Sequence, residues 1–194
     1  MPRIIRLIEQ QSPNLVFIDE AVFSSKSMGQ RYWAKAGPQL SITKKQLSFT
    51  AVAVVAAINI KGQVVALHSA ESSICTEDFI VFLNQMRRRR NSRKTYVLLD
   101  NLSFHHSKVV LERARKNKQE FIFNAAYSSE YNPIERLWAI AKRQFNRDLI
   151  TEANYKDKEQ IKALVMKSIL QASESTLEKH FFACLRLMKL KVNT

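Results

Sequence analysis

Three acidic residues stand where a hard metal ion can use them. Asp19 follows the apolar run Leu15-Val16-Phe17-Ile18, Asp100 follows the apolar run from Thr95 to Leu99, and Glu135 comes three residues after Asn132 at the opening of an amphipathic stripe. Cleaving or exchanging a phosphodiester needs a deprotonated hydroxyl, a stabilised leaving oxygen and neutralised phosphate charge; two divalent cations about 3.5–4 Å apart supply all three in many nucleases. Such cations take carboxylate oxygens on rigid elements, with positions left for water and substrate. Parallel, adjacent placement of the two runs brings Asp19 and Asp100 to one rim of a sheet. An Asp after a strand also opens turns, and a Glu in the first helical turn serves a capping box or the helix dipole. The residues alone leave those readings open, and for Glu135 the spacing by itself favours the helix-end role.

The elements that must carry these acids are legible from periodicity. Leu15 to Ile18 reads as a buried strand ending in Asp19-Glu20. Residues 21 to 46 carry Gly29, Gly37 and Pro38 and read as an extended excursion or hairpin anchored by Tyr32-Trp33. Phe49 to Ile60, the turn Lys61-Gly62 and the return Gln63 to His68 make a hairpin. Thr76 reads as the N-cap of a helix with Phe79, Ile80, Phe82, Leu83 and Met86 on its apolar face. Thr95 to Leu99 is a strand of the kind buried on both faces. Ser107 to Asn117 reads as a helix, Phe121 to Phe123 as a strand, and Asn132-Pro133 as a helix start with Ile134, Leu137, Trp138, Ala141 and Phe145 on one stripe. Helices over about 156–172 and 175–191 close the chain. This order predicts a mixed α/β sheet covered by helices, with a catalytic unit over 15–150 and a helical extension over 151–194.

Composition narrows the partners. The 194 residues carry 31 Lys+Arg against 17 Asp+Glu, a formal charge of +14 and a pI near 10.0. That balance points to polyphosphate, with a ribosomal-type or membrane-surface protein as the alternative. Eleven of the basic residues fall between Arg87 and Lys118, against Asp100 and Glu112 alone. Arg87, Arg88, Arg89, Arg90, Arg93 and Lys94 are the candidate DNA-phosphate contacts; nuclear targeting and a solvated helix end suit Arg87 to Arg90 equally. Cys75 and Cys184 have neither CxxC spacing nor zinc-finger neighbours, which fits a reducing compartment. No run nears the roughly 18 apolar residues of a membrane span, and MPRIIRLIEQ lacks a signal-peptide core, so an intracellular protein without a membrane partner is expected.

The segments FIDEA around Asp19, LLDNLSFHHS around Asp100 and AAYSSEYNPIERLW around Glu135 resemble the three signature blocks of the mariner superfamily of DDE transposases, including its bacterial insertion-sequence branch. Thirty-four residues separate Asp100 from Glu135, an interval similar to one characteristic of that superfamily, and GQRYWAKAG (29–37) resembles its tryptophan-containing stretch. The resemblance implies a ribonuclease H-like core in which Asp19, Asp100 and Glu135 hold two Mg²⁺ or Mn²⁺ ions. Water would cut double-stranded DNA at the element ends, and the freed 3′-hydroxyl would attack target DNA. Asn101 and His105 match the family's D-N-x-x-x-H pattern and are auxiliary candidates, orienting Asp100 or touching phosphate; a helix N-cap region with a solvent-facing His is the other reading.

Among the other candidates, His106 is expected to be exposed. His68 is expected at a strand end, since hard Mg²⁺ prefers oxygen. Glu20 is a rival acid that should face away from Asp19 if the strand continues, and Glu130 matches an acidic turn position of the family.

Eighteen residues precede Asp19, where the family carries helix-turn-helix modules. The chain is then an excised domain, a fragment of a decayed or split gene, or a product that borrows specificity from a separate helix-turn-helix partner; a homodimer is a further candidate assembly, and the location is the nucleus if eukaryotic and the cytoplasm or nucleoid if bacterial. Three functions compete: a transposase catalytic core, a transposase-derived DNA-binding or assembly subunit without catalysis, and a stand-alone ribonuclease H-like nuclease. The NPIERLW block argues against the third.

Overall fold

The computed structural model describes residues 14–24, 51–89, 94–124, 132–151 and 158–174, together with 6, 7, 9, 10 and 12. The Tyr32-Trp33 anchor, the 29–37 block, Arg90, Arg93, Glu130 and the helix expected over 175–191 lie outside the described residues. Five strands, β1 (Leu15–Phe23), β2 (Val52–Asn59), β3 (Val64–Ala70), β4 (Thr95–Leu99) and β5 (Gln119–Phe123), form one sheet in the order β3-β2-β1-β4-β5. The β1–β2 and β2–β3 pairs are antiparallel, and the β1–β4 and β4–β5 pairs are parallel. Four helices are described: α1 (Thr76–Arg89), α2 (Lys108–Lys116), α3 (Ile134–Thr151) and α4 (Lys158–Glu174). This is the expected ribonuclease H-like mixed sheet flanked by helices.

Period-two alternation divides the core between the two faces of the sheet. Leu15, Phe17, Ala21 and Phe23 of β1 join Val52, Val54, Ala56 and Ile58 of β2 against the stripes of α3 and α4. Val16 and Ile18 join Val55, Ala57, Val97 and Leu99 against α1 and α2. Because β1 and β4 are covered on both faces, Leu15 to Ile18 and Val97 to Leu99 read as continuous apolar runs. The apolar residues Ile161, Leu164, Val165, Ile169 and Ala172 of α4 share the cluster of β1, β2 and α3.

Two local features differ from the sequence reading. β1 does not stop at the acids but runs through them to Phe23, because β2 stays paired with it from Val16↔Asn59 to Phe23↔Val52. The two acids interrupt the apolar run without breaking the alternation, which resumes with buried Ala21, exposed Val22 and buried Phe23. At α1, Cys75 occupies the position before the first helical residue. Its N–H donates to Asp78 Oδ2 at 3.2 Å, so Asp78 reaches back over the helix start and Thr76 is already helical.

The turn between β2 and β3 is built around Asn59, whose side-chain oxygen accepts the N–H groups of Lys61 and Gln63 at 2.9 and 3.0 Å. Gly62 takes φ 79°, a left-handed value that a residue with Cβ resists. The pairing shifts between Ala57 and Ile58, the mark of a bulge next to the turn.

The start of α3 is set by Asn132, which is 6% exposed. Its Oδ1 accepts the N–H of Ile134 at 3.3 Å, and its Nδ2 donates to the carbonyl of Ile18 in β1 at 3.2 Å. One side chain thus caps the helix and ties it to the central strand. Asn132→Ala removes the cap and leaves buried polar groups without this partner, so a loss of roughly 1–3 kcal/mol in unfolding free energy is expected from urea denaturation.

Candidate active site

Asp19 and Asp100 meet at the rim where β4 ends. The parallel register pairs Leu15 with Tyr96, Val16 with Val97 and Phe17 with Leu98; extended by two residues, it sets Asp19 beside Asp100. Asp19 lies on the α3 side of the sheet, where Trp138 Nε1 donates to its Oδ2 at 2.9 Å. The Asn132 tie holds the first turn of α3 against the same stretch of β1 and so presents Glu135 to the rim. The structure therefore brings together all three acids singled out by spacing and resemblance.

Their charges interact. Burial, then the carboxylates of Glu135 and Glu20, raise the Asp19 pKa from 3.8 to about 7, against the lowering effect of the Trp138 hydrogen bond. Partial burial raises the Glu135 pKa; Lys142 pulls it down and Asp100 pushes it up. Asp100 Oδ1 is buried and faces His105 Nδ1 at 3.1 Å. Converging carboxylates, with Glu135 raising the pKa of Asp19 and Asp100 that of Glu135, form an all-oxygen site that a hard divalent cation would relieve.

Glu20 faces the opposite side of β1, as alternation requires. Its Oε1 lies 3.1 Å from His105 Nε2. His105 sits in a short 3₁₀ turn (Ser103–His106) after β4; it is buried, not solvent-facing, and its Nδ1 is 3.1 Å from Asp100 Oδ1. Ligand atoms of Glu20, Asp100 and His105 all lie within 4.8 Å of one another, the spacing of a possible ion site. Burial works against the imidazolium, but contacts with Asp100 and Glu20 raise its pKa from 6.5 to about 9. Nε2 faces Glu20 Oε1 and Nδ1 faces Asp100 Oδ1, each at 3.1 Å, so both ring nitrogens are engaged and the group reads as a hydrogen-bonded bridge.

The remaining candidates separate. Asn101 is exposed and its side-chain oxygen meets His106 Nε2, while the exposed His106 stacks on Phe123. His68 lies within β3 and its Nε2 contacts Asp78 Oδ1 at 3.2 Å. Arg87 Nη1 donates to the Lys116 carbonyl at 2.8 Å and contacts Asn117 Oδ1 at 3.3 Å, which fastens the end of α1 to the end of α2. Lys94 pairs with Glu120 at 2.9 Å and lies over the Tyr96 ring. Arg88 and Arg89 are exposed. This basic run adjoins the N-terminal end of β4, and Asp100 follows its C-terminal end, five residues or roughly 17 Å away at about 3.3 Å per residue.

Sequence reasoning missed a second basic feature beside the acids. Arg136, Arg143 and Arg147 are exposed on α3 at positions i, i+7 and i+11, one face of the helix that carries Glu135. The helical period was the available signal, but the denser run after Met86 drew attention from it.

The sign of the Asp19 shift gives a stability test. Its folded pKa is raised, so its contribution to stability is fully present below about 3.8 and is lost as pH rises through about 7. In EDTA, thermal melts should show a lower Tm at pH 8 than at pH 5, and Asp19→Asn should shrink that difference. An undiminished difference in the variant would assign the titration to another group.

A family profile described as DDE superfamily endonuclease matches residues 14–162. No curated protein matches the sequence. Among solved structures, the chain is similar to a pre-cleavage Mos1 transpososome, with a TM-score of 0.62 and 13% identity over 95% of this chain and 59% of that one. It is also similar to the catalytic domain of Mos1 mariner transposase, with a TM-score of 0.58 and 12% identity over 95% of this chain and 88% of that one. A simian T-cell lymphotropic virus intasome in complex with PP2A regulatory subunit B56 gamma gives 0.52 and 11% over 80% and 48%. At such identities the likeness is one of fold. The chain spans 59% of the length of the transpososome protein. Since the family profile covers most of the chain, through all three acids, this protein belongs to the DDE superfamily endonuclease family.

Proposed function

We propose that this chain is the catalytic core of a cut-and-paste DNA transposase that cleaves and transfers DNA strands at Asp19, Asp100 and Glu135. The observation that supports the reading is the convergence of three carboxylates from β1, the end of β4 and α3 on one rim, where Glu135 acts on Asp19 and Asp100 acts on Glu135. Asp19, Asp100 and Glu135 would hold two Mg²⁺ or Mn²⁺ ions; the similar Mos1 catalytic domain is described with Mn and with Mg. Bound there, the ions supply an activated water or 3′-hydroxyl and neutralise charge on the phosphate.

The chain's own residues do the rest. Trp138 fixes one oxygen of Asp19 through its indole N–H. The α3 arginines lead away from Glu135 and suit the phosphates of a duplex entering the site. Double-stranded DNA, comprising transposon ends and target, is the proposed substrate. A homodimer that brings two ends together and a helix-turn-helix partner that reads sequence complete the proposal, because phosphate contacts carry no base information directly.

Nicking of supercoiled DNA in Mn²⁺ or Mg²⁺ should stop in EDTA. Asp19→Asn, Asp100→Asn and Glu135→Gln should each lower the rate by several orders of magnitude without loss of helicity by circular dichroism. Normal nicking by Asp100→Asn would sink the assignment.

DNA affinity should fall steeply with salt, and each phosphate contact removed should flatten the slope of log affinity against log salt by about 0.9. Joint replacement of Arg136 and Arg143 by Gln is expected to flatten it more than joint replacement of Arg88 and Arg89. The reverse order would move the DNA track to the α1 end of the molecule.

A further inference from the structure

The face of β1 turned away from Asp19 carries a construction that the proposed chemistry does not use directly. His105 is the only histidine among the buried polar residues described, and its side chain is 1% exposed. Nε2 lies 3.1 Å from Glu20 Oε1; Nδ1 lies 3.1 Å from Asp100 Oδ1 and 3.3 Å from the Asp100 carbonyl. The ring is held between Phe79 and Phe104, with centroids 4.7 and 4.1 Å away. Both nitrogens are thus committed to oxygens, and aromatic packing fixes the ring plane.

Asp100 needs such a frame. Asp19 is embedded in a strand paired along β2 and is anchored by Trp138. Asp100 follows the last residue of β4 and has no place in a strand ladder. A carboxylate there has two soft torsions, and a metal ligand free to rotate loses affinity in ordering itself. Outer partners that orient ligating carboxylates typically change metal affinity by about 10–100-fold.

We propose that Glu20 and His105 form a buried positioning pair that sets the pose of the Asp100 carboxylate from the far side of the sheet. The pair acts through Asp100 and touches neither DNA nor metal; the inference rests on the reading of Asp100 as a metal ligand. Glu20 is the anchor. It fixes Nε2 from the central strand, so that Nδ1 points at Asp100 whatever occupies the rim. The same arrangement explains why adjacent acids on β1 have separate employments.

The test measures Mn²⁺ affinity by electron paramagnetic resonance on the full chain, with nicking rate and Tm alongside. Wild type should bind Mn²⁺, and Asp100→Asn should bind it far more weakly. Glu20→Gln keeps an acceptor for His105 and so tests the pair in a folded chain; it should weaken Mn²⁺ by about tenfold, and Glu20→Ala by up to about a hundredfold. Nicking at limiting Mn²⁺ should fall in the same order and recover in part at saturating Mn²⁺, which a merely structural role would not produce. Equal Mn²⁺ affinity in wild type, Glu20→Gln and Glu20→Ala would overturn the positioning role while leaving the function standing. Failure of wild type to bind, or indifference to Asp100→Asn, would overturn the metal-site reading itself.

Discussion

The rim depends on the tie between α3 and β1. A helix packed on a sheet through an apolar stripe can slide along its axis at little cost, because one leucine-sized contact resembles the next. Here sliding is opposed at two points six residues, or about 1.7 turns, apart: the Asn132 side chain bonds the Ile18 carbonyl, and the Trp138 indole bonds Asp19. Hydrogen bonds tolerate only a few tenths of an ångström where apolar contacts tolerate more. Glu135 lies between the two points, so its height above the sheet follows from theirs. The stripe of Ile134, Leu137, Ala141 and Phe145 supplies adhesion; the polar pair supplies the registration.

That registration opposes a standing repulsion. Three carboxylates are gathered where burial and mutual charge raise two of their pKa values. The core beneath must tolerate this strain, and it does so with a sheet covered on both faces and aromatic rings of Phe23, Trp138 and Phe145 packed edge to face on the α3 side. On the other face the acids are bridged, since the buried His105 ring stands between Glu20 and Asp100. Thus the two sides of one strand solve the same problem differently, by dense packing on one and by a buried polar bridge on the other.

How much of this was legible in the sequence follows from which signals are local. The strands carrying Asp19 and Asp100 were readable because burial on both faces leaves continuous apolar runs, and the α3 stripe was readable from its period. The extent of β1 past Glu20 was not: pairing with β2, some 35 residues on, keeps the chain extended through two acids, and no window around Asp19 contains that information. Glu135 was ambiguous for the same reason, since a first-turn Glu serves a helix end equally well until the Asn132–Ile18 bond places it. His105 could be marked as auxiliary but not as a bridge, because its partner Glu20 lies 85 positions away. Arg87 illustrates the opposite error, in which a conspicuous charge run includes a side chain that holds two helix ends together.

The hairpin turn at Asn59 lies away from the acids, yet it bears on them through the pleat. β1 delivers Asp19 to one face and Glu20 to the other only because β2 pairs with it in one register, and the Asn59–Gly62 turn with its adjoining bulge helps to set where β2 and β3 meet. A slip of one residue along β1 would present Glu20 to Trp138 and drive Asp19 toward the phenylalanines around His105. The sheet would still hold five strands and a similar apolar content. Catalytic identity in this fold is therefore a matter of parity: a chain can fold with every strand in place and still be wrong by one.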